Sequence, residues 1–152
     1  MDNRQTIDTF SFQLGMINCF VEMVACGVKP LAISPPMTPD DHNRVKTYSD
    51  RIVEGFGVNS FLEKALLSTA LQSDEFTRDK WVILYYKSEA VKTAYLGLKD
   101  KQTGLMQAGR YDAAAGKQLS IEFLTLLGYS RPVIDEKLSG NHPDPFMLTD
   151  DL

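Results

Sequence analysis

The sequence predicts an all-α fold, a compact bundle of five or six helices with a central, largely buried first helix, on three observations. Gly and Pro punctuate the 152 residues at intervals that suit helices and short connectors. Between them, apolar residues recur three and four positions apart. Several of these segments open on Ser, Thr or Asp, the residues that cap helix N-termini. A length of 152 residues, 43% hydrophobic and 24% charged, suits one globular domain with a sizeable core.

The first helix is read from about Asp8 or Thr9 to Cys26, with Gly27 in the left-handed position after it and Pro30 beyond. At ~100° per residue its apolar side chains cover about two-thirds of the circumference, which predicts a central place in the bundle. Ser11, Asn18 and Glu22 gather with Gly15 on the remaining strip, flanked by Cys19 and Cys26; Gln13 is the one polar residue outside it. The connector VKPLAISPPM carries too many prolines for helix, and its Leu31 and Ile33 are expected to pack onto the domain.

Thr38 as N-cap, Pro39 at the first helical position and two acids after it start the second helix. Val45, Tyr48, Ile52 and Phe56 give it one apolar stripe, and Gly57 closes it. Ser60 and Glu63 match a capping box, which predicts a short buried helix through FLEKALLSTAL. A long helix is then expected from Ser73 or Thr77 to about Lys101. WVILYY, residues 81 to 86, fits a buried strand equally well. Helix is preferred there because Leu84, Val91, Tyr95 and Leu98 keep helical spacing and no second strand of matching strength is visible.

Residues 105 to 111 read as loop, Asp112 caps a helix that Gly128 stops, and a short helix follows from about Pro132 to Leu138. The expected organisation is a single helical domain over 1–140 and an extended or mobile tail over 141–152.

Composition and motifs exclude more than they assign. A net charge of −4 with scattered acids and bases argues against nucleic acid as partner. No apolar run approaches the ~20 residues of a membrane span, and MDNRQTIDTF lacks the pattern of a signal peptide, so a cytoplasmic protein is expected. Gly116-Lys117-Gln118 fails the phosphate-loop pattern: six residues separate it from Gly109, and Gln stands where Ser or Thr is required. His42 and His142 have no metal-ligand spacing, so no metal or cofactor is expected, and His42 reads as a surface histidine near Lys46 and Ser49. Cys19 and Cys26 read as small core residues that cannot bridge, being seven positions apart on one helix.

The residues that stand out are therefore Asn18, Glu22 and Cys26 on the strip of the first helix, as ligand or interface candidates. A non-enzymatic helical interaction module is the preferred reading, self-associating as a homodimer or docking on a protein partner. One alternative is a small-molecule binding or sensing domain with a pocket between helices. The other is an enzyme whose groups converge only in the fold, with Glu22 meeting Tyr85, Tyr86 or Arg110; no catalytic residue is assigned on sequence alone.

Overall fold

The computed structural model describes residues 6–70 and 77–140. In chain order these form α1 (Thr9–Ala25), β1 (Leu31–Ile33), α2 (Pro39–Phe56), β2 (Asn59–Glu63), β3 (Val82–Tyr86), α3 (Glu89–Gln107), α4 (Ala113–Leu126) and α5 (Arg131–Leu138). The molecule is thus α/β, five helices packed on a three-stranded antiparallel sheet, and the all-α prediction is wrong. The Ser73 helix start and the 141–152 tail lie outside the described residues.

The sheet order is β1-β3-β2. Tyr86, Tyr85 and Leu84 pair with Leu31, Ala32 and Ile33 on one side, and Tyr86 through Val82 with Asn59 through Glu63 on the other. All five residues of β3 are buried. Ile83 and Tyr85 face Ile17, Val21, Val24 and Val45 from α1 and α2. Val82, Leu84 and Tyr86 face Tyr95, Leu98, Leu119 and Phe123 from α3 and α4. A central strand covered on both faces reads as an unbroken apolar run, because alternate side chains meet different helices and none meets water.

The second correction follows from the first. The 60–63 stretch is strand, not helix, so Ser60 and Glu63 cap nothing; Glu63 is buried and accepts hydrogen bonds from other elements. The connector holds β1, kept to three residues by Pro30 before it and Pro35 and Pro36 after it, which blunt an open sheet edge. The long helix starts at Ser88, whose side chain caps the Ala90 N–H, and runs to Gln107, into the stretch read as loop. Predicted starts at Thr38 and Asp112, and ends at Gly27, Gly57 and Gly128, match the observed caps or turns.

α1 is not the centre of a bundle. It lies on one face of the sheet against α2, β1 and β3, burying Gln13, Ile17, Val21 and Val24. Its wide apolar arc serves two neighbours: one part enters the core, while Met16 and Phe20 line a cleft. No helix among the described residues is long and apolar enough to cross a membrane.

Candidate ligand-binding cleft

Two helix ends meet beside the edge strand. α1 ends through Gly27 at φ +77°, with Val28 N–H returning to the Met23 carbonyl. α4 ends through Gly128 at φ +92°, with Tyr129 N–H returning to the Leu124 carbonyl. Both are left-handed helix terminations that favour glycine. Gly128 is also fixed by contact, since a Cβ there would sit 3.3 Å from the Val28 carbonyl oxygen and 3.4 Å from the Lys29 Cα. The close approach of the two turns brings Lys29 and Tyr129 side by side.

Between these turns, α1 and the sheet edge lies a cavity of about 170 Å³. Met16 and Phe20 form one wall, Leu66 and Leu127 contribute from the opposite layer, and Ile33 and Val82 come from the strands. Ser34 lies at the cleft, but its hydroxyl is committed: it accepts from Ile83 N–H at 2.8 Å and donates to the Pro35 carbonyl at 3.1 Å. Ser34 N–H also donates to the Ile83 carbonyl at 2.9 Å, so its backbone and side chain together extend the ladder by one rung.

Lys29 is the cleft's polar handle. Its ammonium stands 5.3 Å from the Tyr129 ring centre and 5.9 Å from that of Phe20, and it makes no hydrogen bond or ion pair with a described residue. Partial burial lowers its pKa from the ordinary lysine value, because removal from water disfavours the charged form. Aromatic faces return part of that cost by cation–π attraction. Lys137 sits 5.1 Å from the same Tyr129 ring.

Asn18, Glu22 and Cys26 are exposed on the opposite side of α1 and line none of this cleft. Cys19 and Cys26 are free thiols at the surface, not core residues. Glu22, Tyr85, Tyr86 and Arg110 do not converge. Tyr85 is buried against Ser49 Oγ at 2.8 Å, Tyr86 is 3.4 Å from Glu89 on the other face, and no hydrogen bond joins Glu22 or Arg110 to either tyrosine. Burial raises the pKa of Tyr85 well above the ordinary phenol value. Among the described residues, no group of three or more His, Cys, Asp or Glu is placed to share a metal ion.

Two polar clusters escaped the sequence reading. Glu63 accepts from Tyr95 Oη and Lys99 Nζ, each at 2.8 Å, and from Ala65 N–H at 2.9 Å, while Tyr95 accepts from Leu67 N–H. Every partner is satisfied, so the cluster is a fastening that holds segment 64–70 to α3. His42, expected at the surface, is 7% exposed and packed edge-to-face on Trp81. Lys29 could not be found from spacing, since Phe20 and Tyr129 lie 109 positions apart and meet only through the two turns. Compared with protein-family models, curated proteins and solved structures, the chain matches none.

Proposed function

We propose that the chain is a small-molecule-binding domain whose ligand is a compact, mainly apolar monocarboxylate, held in the cleft with its carboxylate on Lys29. One observation carries the reading: a partly buried ammonium without an anionic partner among the described residues, at the edge of an apolar cavity. Such a charge is costly to keep from water unless something pairs with it, and a carboxylate would form a charge-assisted hydrogen bond there. Ser34 is occupied by the backbone, so Lys29 and the Tyr129 hydroxyl are left to orient a guest. The size agrees, since an engineered cavity of ~150 Å³ holds benzene, which points to one ring or a short branched chain.

Benzoate and its neutral isostere benzamide test the pairing, by ligand-observed NMR and by thermal shift. Benzoate should raise the melting temperature, because a ligand of the native state alone stabilises it, and should bind at least ~10-fold more tightly than benzamide, a difference of ~1.4 kcal/mol. Lys29→Met should erase that preference, and Leu66→Trp, which fills the cavity, should abolish binding of both. Equal binding of the two probes to the native protein would remove Lys29 from the recognition. No binding of either at millimolar concentration would remove the cleft.

Self-association through the outer face of α1 is a second reading, favoured by Phe12. That ring is 37% exposed in the same strip as Gly15, Cys19, Glu22 and Cys26.

A further inference from the structure

We infer that His42 is an acid-sensitive latch, which holds Trp81 and the adjoining end of the sheet in place only while its imidazole is neutral. The ring sits in the first turns of α2, 5.5 Å from Trp81 at an interplanar angle of 65°. Its Nδ1 is buried with no hydrogen-bond partner among the described residues. A neutral imidazole tolerates this, since its bare nitrogen is an acceptor, whereas the imidazolium is a donor at both nitrogens. A protonated Nδ1 would point a charged N–H at no acceptor.

The charges around the ring oppose protonation as well. Lys46 and Asp50 flank it on α2, and Lys64 approaches from the segment after β2. Asp50 is already paired with Lys46, which weakens its pull on the imidazole. Burial and then these lysines hold the pKa of His42 below the ordinary 6.5. Taking up a proton therefore requires the ring to swing out to water, and Trp81 loses one of the groups packed on it.

Trp81 is held on two further sides. It exchanges backbone hydrogen bonds with Met37 at 2.8 and 2.9 Å, and Lys64 Nζ lies 4.7 Å from its ring centre. The Met37–Trp81 pair is an isolated rung beyond the short β1 ladder, anchored by the buried Met37 on one side and by the half-buried Trp81 on the other. Release of the latch opens that end while β3 itself stays paired. The inference is independent of what the cleft binds, although Pro36 and Val82, next to this rung, line it.

Trp81 is the sole tryptophan, so its emission reads the latch directly. Emission should shift to the red between pH 8 and pH 5, with a midpoint below 6.5, while far-UV circular dichroism stays native. In His42→Phe, which keeps an aromatic ring in place, the shift should vanish. His42→Gln gives a second neutral side chain if the phenylalanine is not accommodated. Retaining His142 in both variants assigns any lost transition to His42. A flat titration of the native protein overturns the latch. So does a transition that persists in both variants, or one that coincides with loss of the far-UV signal.

Discussion

At the scale of single residues, Gly27 and Gly128 share a left-handed backbone, at φ +77° and +92°, yet differ in what surrounds them. Among the described residues nothing lies within 4 Å of a Cβ built on Gly27, whereas one on Gly128 meets the Val28 carbonyl at 3.3 Å. Gly27→Ala should therefore cost only the left-handed strain, ~1 kcal/mol. Gly128→Ala should cost that and more, ~2 kcal/mol or above, because the neighbour is backbone and cannot turn aside. Urea melts of the two variants check the order, and equal losses would show that the turns are not in contact. Glu22 tests the other side of α1. Exposed as it is, Glu22→Ala should change stability by less than ~0.5 kcal/mol, the same at low and high protein concentration. A loss that grows on dilution would instead place the strip in a subunit seam, since association and folding would then be linked.

At the scale of elements, the helices with strong caps were legible and the sheet was not, for a physical reason that WVILYY illustrates. A strand buried on both faces loses the two-residue alternation that identifies strands, and its apolar run suits a helix as well. Leu84 stood in helical register with Val91, Tyr95 and Leu98 by coincidence: it belongs to β3, the others to α3. Its partner strands were weaker still, one of three residues among prolines, the other bearing Asn, Ser and a Glu that mimicked a cap. That Glu63 does its work across the fold, which spacing along the chain cannot reveal. The side chain of Glu63 is 6% exposed and that of its partner Lys99 31%. Lys99→Met should cost ~2 kcal/mol, less than a fully buried pair because water reaches the lysine. In a Glu63→Gln background the same change should cost under ~1 kcal/mol, as an amide needs no counter-charge. A double-mutant cycle in urea measures this, and additivity would show that the two groups do not interact. The cleft was hidden by the same kind of separation. The wide apolar arc of α1 predicted a central place in a bundle, not that Met16 and Phe20 would line a cleft with the residues after α4.

At the scale of the whole molecule, one sheet joins two apolar clusters, and β3 contributes alternate residues to each. Neither layer of helices can leave without exposing the central strand, which predicts a single cooperative transition at neutral pH despite the two cores. A buried tyrosine in each layer makes this testable through pH. Tyr85 hydrogen-bonds Ser49 beneath α2, and Tyr95 hydrogen-bonds Glu63 beneath the 64–70 segment; both are 0% exposed. Burial raises both pKa values above the ordinary 10.0, and Glu63 raises that of Tyr95 further. For an acid whose folded pKa is raised, the native state holds its proton longer than the unfolded one. The stability is therefore fully present below pH 10 and is lost as pH rises through and above that value. With both phenols coupled to one transition, they should add two protons to the slope above pH 10, ~1.4 kcal/mol per pH unit for each, beside the contribution of Tyr86, whose pKa burial and Glu89 also raise. Lys29, with its lowered pKa, acts in the opposite direction, so the measure is a comparison between variants and not one absolute curve. Tyr85→Phe/Tyr95→Phe should be less stable than the native protein at pH 8, having lost hydrogen bonds in both layers, yet fall less steeply between pH 10 and 11.5. Urea midpoints followed by Trp81 emission and by far-UV circular dichroism should coincide at each pH for both proteins. Equal alkaline slopes in the two proteins would show that the phenols are not held from water. Midpoints that separate by probe would show that the two faces of the sheet unfold apart.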